Sequence, residues 1–161
     1  MEAKRDTKSV GDASEAALIA LFVQAGYLVS IPFGENHRYD LIVDGDEGLK
    51  RIQVKTGRLR HGSIVYNCCS SHAHHGGPTM RRYVGEIDSF AVFCPELATA
   101  YLVPIDEAPR GKGYLRIDPA VNCQRKRVRW AEPYKFGFLG AAPVGLSDGS
   151  GVQGEAPKLP L

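Results

Sequence analysis

Asp40, Gln53 and Lys55 are the residues of this chain whose types and spacing could do chemistry. Asp40 lies in Arg38-Tyr39-Asp40-Leu41-Ile42-Val43-Asp44, and the other two in Arg51-Ile52-Gln53-Val54-Lys55-Thr56. Both stretches are apolar enough for strands, and Gly45-Asp46-Glu47-Gly48 between them is turn chemistry, so the pair reads as an antiparallel hairpin. A fold-back symmetric about positions 46 and 47 sets Asp40 opposite Gln53. Strand residues alternate faces, so Gln53 and Lys55 project together while Ile52 and Val54 point the other way, and opposed side chains sit about 5 Å apart. One face then gathers a carboxylate, an amide oxygen and an ammonium. The two oxygen groups are ligands that Mg²⁺ takes, and the ammonium can orient a water or neutralise a phosphate. The same pattern also fits a solvated strand face carrying an ion pair.

A further carboxylate comes from the segment before the hairpin. From Thr7 to Ala25, the residues Val10, Ser14, Ala17, Leu18, Leu21 and Ala25 recur at helical spacing. Thr7, Ser9 and Asp12 are available as caps, and Gly26 is a stop signal. Glu15 shares its side of this helix with Leu18, Ile19 and Phe22, beside the apolar stripe. A carboxylate there is costly unless it is paired or holds a cation. The competing reading is a capping box, with Asp12 as the cap and Glu15 reaching back to the backbone.

The order Glu15 on a first helix, Asp40 at the head of one strand and Gln53-Val54-Lys55 on the next resembles the PD-(D/E)XK nuclease superfamily. It is most similar to the branch of group I intron homing endonucleases that carries Gln where most members carry Asp or Glu. Thr7-Lys8-Ser9-Val10-Gly11-Asp12, Asn36-His37-Arg38-Tyr39-Asp40-Leu41, Gln53-Val54-Lys55-Thr56-Gly57 and Gly85-Glu86-Ile87-Asp88-Ser89-Phe90-Ala91-Val92 carry the likeness, which runs from about Thr7 to Trp130. It implies a restriction-endonuclease-like mixed central sheet flanked by helices and Mg²⁺-dependent phosphodiester hydrolysis, with Mn²⁺ able to substitute. Metal ligation is implied for Glu15, Asp40, Gln53 and the Val54 carbonyl, and Lys55 matches the catalytic lysine. Two positions depart from the motif. Tyr39 stands where the namesake motif has Pro, which provides no ligand atom. Gln53 keeps an oxygen donor but removes a negative charge, so cation affinity should fall unless substrate phosphate restores it.

Charge is divided along the chain in a way that suits a phosphate partner. The net charge is only +2, yet residues 1 to 49 carry four Lys or Arg against nine acids, whereas residues 50 to 139 carry fifteen against seven. The acidic part holds the candidate ligands, and the basic part would contact a nucleic-acid backbone. Arg58, Arg60, Arg81 and Arg82 have positions that favour such contacts, and Arg125, Lys126, Arg127 and Arg129 form a further cluster.

The remaining elements must position these groups within one domain, for which 161 residues suffice. Strands are expected at Ser63 to Asn67, Ile87 to Cys94, Thr99 to Ile105 and Tyr114 to Ile117, with a tight turn around Pro95-Glu96. One helix followed by strands argues for a mixed α/β sheet with an α+β tendency over a doubly wound one. Residues 70 to 82 read as a loop by composition. Cys68 and Cys69 with His72, His74 and His75 raise zinc as a possibility, but adjacent cysteines project to opposite strand faces and cannot easily share one tetrahedral ion. Cys94 and Cys123, in or beside apolar segments, read as buried thiols. No signal peptide or apolar run of spanning length is present, so a cytoplasmic, reducing compartment and no membrane partner are expected. Residues 1 to 139 form the expected nuclease domain, and 140 to 161, rich in Gly, Pro, Ala and Ser, an expected disordered tail.

These features favour a DNA endonuclease. A resolvase of branched DNA such as a four-way junction, and a weakly catalytic nucleic-acid-binding module, are the alternatives. Cutting two strands with one active site per chain is easiest in a symmetric homo-oligomer, either a dimer or a tetramer.

Overall fold

A computed structural model of the chain describes residues 6–34, 36–74, 77–119 and 128–138. Residues 125 to 127, Cys123, His75 and the segment from 140 onward lie outside the described residues. The helical periodicity produces α1, Thr7–Gln24, which buries Ser14, Ala17, Leu18, Leu21 and Phe22. Asp6 is its N-cap residue, and the Val10 amide donates to the Asp6 carbonyl at 3.2 Å. Because the helix starts a turn before Asp12, Glu15 lies within its body, and the capping-box reading is set aside. Gly26 ends the segment with a left-handed φ of +88°, which costs glycine little.

The hairpin forms in the expected register. Strand β1 is Leu28–Ser30, β2 is Leu41–Gly45 and β3 is Gly48–Thr56. Leu41 pairs with Ile52 and Gly45 with Gly48, and the Asp40 amide donates to the Ile52 carbonyl at 2.9 Å. That ladder continues to Asp40 opposite Gln53. The other strands are β4 (Arg58–Arg60), β5 (Ser63–Asn67), β6 (Cys69–His74), β7 (Gly77–Arg82), β8 (Ser89–Cys94), β9 (Thr99–Pro104), β10 (Lys112–Arg116) and β11 (Lys135–Phe138). A six-stranded sheet runs β1-β2-β3-β8-β9-β11, and it is mixed because β3 and β8 pair in parallel while its other pairs are antiparallel. A second sheet has the order β10-β5-β4, and β6 and β7 form a separate hairpin.

Each face of the central sheet has its own apolar cluster. On one face α1 packs Leu18, Leu21 and Phe22 against Leu41, Val43, Ile52 and Leu102. The other face buries Phe90, Val92 and Val103 against Ile64, Tyr66 and Leu115 of the small sheet. Strand β8 is buried along its whole length, as expected for a strand covered on both sides. The architecture is therefore a single α+β domain with a mixed sheet. It departs from the expected flanking helices, since among the described residues one α-helix covers one face and β-structure the other. After Gln24 the apolar residues alternate in short runs, a period that builds strands and not a helix. Gly57 makes the crossing between the sheets possible. A Cβ there would lie 2.5 Å from Ile64 Cγ2 and 2.9 Å from Val92 Cγ1.

The described residues of the expected loop, 70 to 74 and 77 to 82, are instead strand, because Cys69 to His74 pairs with Gly77 to Arg82. The Gly, Pro and Ser content that suggests a loop is accommodated in a two-stranded ribbon, whose edges tolerate such residues. Among the described residues, no helix is long and apolar enough to cross a membrane. Cys68, Cys69 and Cys94 are free thiols, and burial raises both Cys68 and Cys94 to a pKa of about 11.

Candidate active site

Asp40, Gln53 and Lys55 meet where β2 begins, on the sheet face away from α1. Asp40 is half-buried, and its Oδ2 accepts a 2.7 Å hydrogen bond from the Val54 amide and another from Gln53 Nε2. Gln53 Nε2 also reaches the Val54 carbonyl at 3.4 Å. Gln53 is only 7% exposed, so its amide is held between the two oxygens and not solvated. Burial raises the Asp40 carboxyl above the usual carboxylate range, and the Val54 amide and the Lys55 charge only partly counter it.

Glu15 approaches from the helix side. Burial raises its carboxyl too, with the charges of Asp40 and then Asp12 adding to the effect. That influence places Glu15 in the electrostatic field of Asp40, although no hydrogen bond or ion pair joins it to Asp40, Gln53 or Lys55. The helix is fixed over the end of β3 by the 2.7 Å hydrogen bond between the hydroxyls of Ser14 and Thr56. Two carboxylates that each resist ionisation, and burden one another when ionised, form a site that a cation would relieve.

The donor set fits a hard divalent ion. Among the described residues no three His, Cys, Asp or Glu side chains gather to hold a metal. A cation would therefore rest on Asp40, Glu15 and neutral oxygens. The Val54 carbonyl and Asp40 Oδ2 already converge on one electropositive group, the Gln53 amino group. Turning that amide over would present Oε1 in its place, giving the all-oxygen set that Mg²⁺ prefers.

The basic residues divide into tied and free. Strand β4 turns Leu59 toward the second core while Arg58 and Arg60 point outward. Arg58 faces Glu96 at 3.7 Å across a largely exposed pair, and Arg60 is exposed. Arg81 pairs with Glu86, and the Arg82 side chain is exposed. Arg38 and Tyr83 also stand beside Lys55, and the sequence did not single out either. Tyr83 is buried, receives a hydrogen bond from Lys55 Nζ at 3.2 Å, and lies under the Arg38 guanidinium at 4.0 Å. Arg38 stands two residues before Asp40, which was the available signal, whereas nothing in the spacing singles out Tyr83.

The chain is similar to known proteins. Residues 5–137 match the model of the PD-(D/E)XK endonuclease family. Among solved structures, a bacterial homing endonuclease, I-Ssp6803I, is similar with a TM-score of 0.67 and 25% sequence identity, over 81% of this chain and 89% of that one. No curated protein matches the chain. With the family match running from before α1 into β11, the chain belongs to the PD-(D/E)XK endonucleases.

Proposed function

We propose that this nuclease is a Mg²⁺-dependent endodeoxyribonuclease whose active site is Glu15, Asp40, Gln53 and Lys55. The observation that carries this reading is the convergence of Asp40 Oδ2 and the Val54 carbonyl on the Gln53 amide, with Lys55 following on the same strand face. Glu15, Asp40, the Val54 carbonyl and Gln53 Oε1 would hold the ion. When bound, Mg²⁺, or Mn²⁺ in its place, acidifies a coordinated water and polarises the phosphate. Lys55 orients the attacking water or offsets the negative charge that grows on the phosphoryl oxygens. Because Gln53 contributes no charge, substrate phosphate completes the neutralisation, so DNA and cation bind cooperatively. Arg60 and Arg82, which are exposed, and Arg58 and Arg81, once released from Glu96 and Glu86, would contact the DNA backbone, where each neutralised phosphate strengthens binding in low salt. A homo-oligomer supplies the second active site required to cut both strands.

Linear duplex and four-way junction DNA, each incubated with Mg²⁺ and with EDTA, test this reading. Cutting of duplex that EDTA stops supports it. Cutting confined to the junction changes the substrate to branched DNA. Salt-sensitive binding without cutting under any condition reduces the chain to a binding module.

A further inference from the structure

We infer that Tyr83 is a positioning residue for the Lys55 ammonium, held in place by an Arg38 clamp; this rests on the reading of Lys55 as catalytic. A lysine on a strand has a flexible four-carbon stem, and holding its ammonium at one point requires a fixed acceptor. The Tyr83 hydroxyl is that acceptor, 3.2 Å from Nζ, and Nζ lies 5.0 Å from the ring centroid. One of the three ammonium protons goes to Tyr83, and the other two remain for water and phosphate.

Tyr83 itself is immobilised on two sides. Its ring meets Phe90 edge-on at 5.4 Å and 86°, and only 4% of the residue is exposed. Over the ring lies Arg38, whose guanidinium is anchored at each nitrogen. Nε donates to Glu86 at 2.6 Å, Nη1 to the Ser70 hydroxyl at 2.9 Å, and Nη2 to the Arg82 carbonyl at 2.8 Å. The Arg38 hydrogen bond also holds the Glu86 carboxyl below the usual carboxylate range, so the clamp stays charged. A planar fork that makes three directed bonds and stacks on an aromatic face is a fixed object, and lysine could not reproduce it. The clamp spans the start of β6, the end of β7 and the lead-in to Asp40. It therefore sets the Lys55 acceptor and the Asp40 carboxylate in one frame.

The test is Tyr83→Phe, which keeps the ring, its packing and the Arg38 stack but removes the acceptor. Losing one hydrogen bond to a charged group should lower the single-turnover cleavage rate about tenfold or more. The KM for DNA and the melting temperature should stay near wild type. Arg38→Lys should slow cleavage in the same direction. In the metal-free protein, the Lys55 ¹⁵Nζ resonance should be sharp in the wild type and broadened by solvent exchange in Tyr83→Phe. Wild-type cleavage and an unchanged Nζ signal in Tyr83→Phe would overturn the inference, and so would faster cleavage, which would make Tyr83 a resting place that Lys55 must leave. Lys55→Ala run in parallel separates the two ideas. If it cuts normally, the catalytic reading fails; if it is inactive while Tyr83→Phe is normal, only the positioning inference fails.

Discussion

Replacing Gln53 with Glu restores the carboxylate usual in the motif and, in this chain, should destabilise the metal-free protein. The Gln53 amino group donates to both Asp40 Oδ2 and the Val54 carbonyl from a position only 7% exposed. An ionised Glu has no proton to donate, so both bonds are lost and three oxygens face one another. Each lost bond is worth about 1 kcal/mol, and two carboxylates about 4 Å apart repel by about 4 kcal/mol at an effective dielectric near 20. The pair escapes part of that by sharing a proton, which leaves a net loss of about 3 kcal/mol at neutral pH. Thermal denaturation in EDTA reads this as a fall in Tm of roughly 6–12 °C for a domain of this size. Millimolar Mg²⁺ should return most of the loss in Gln53→Glu and change the wild type much less, because the variant supplies the missing charge. A variant as stable as the wild type in EDTA, with no added response to Mg²⁺, would refute the placement of Gln53 against Asp40.

Burial raises Asp40 in the folded protein, so its protonated form favours the fold and its ionisation costs stability. That favourable contribution is complete below the ordinary value of 3.8 and is lost as pH rises through the raised one, so metal-free Asp40→Asn should gain on the wild type with rising pH. Melts across the acidic range check this, and a difference that is flat or shrinks with pH speaks against it. Arg60 is exposed, whereas Arg58 faces Glu96. Arg60→Ala should reduce the slope of log K against log salt by about 0.9 if it meets one phosphate, and an unchanged slope removes Arg60 from the DNA path. Gly57→Ala should lower Tm, because its Cβ would lie 2.5 Å from Ile64 Cγ2 and 2.9 Å from Val92 Cγ1. A melt identical to the wild type would show that the junction of the two sheets yields.

The α+β class, the first helix and the hairpin register were legible in the sequence, and the shorter strands were not. Turn symmetry fixes hairpin register, so Asp40 opposite Gln53 followed from the glycines flanking Asp46-Glu47, and helical spacing alone set Glu15 beside the apolar stripe. The short strands β1, β4 and β11 escaped because three or four residues carry too little periodicity to read. The β6–β7 ribbon was misread as a loop because Gly, Pro and Ser signal breaks, while cross-strand pairing is a non-local property. The same limit hid Tyr83. Its contacts with Lys55 and Arg38 join residues distant in the chain, and no local pattern encodes them.

The central claim is that Asp40, Glu15, Gln53 and the Val54 carbonyl seat a divalent ion against a DNA phosphate beside Lys55. A crystal structure with duplex DNA and Ca²⁺, an ion of similar oxygen preference, tests it most directly. The account predicts an ion bonded to Asp40 and to the Val54 carbonyl, the Gln53 amide turned to offer its oxygen, and Lys55 Nζ facing the scissile phosphate. An ion bound elsewhere, or a phosphate remote from Lys55 with the Gln53 amino group still on Asp40, would contradict it.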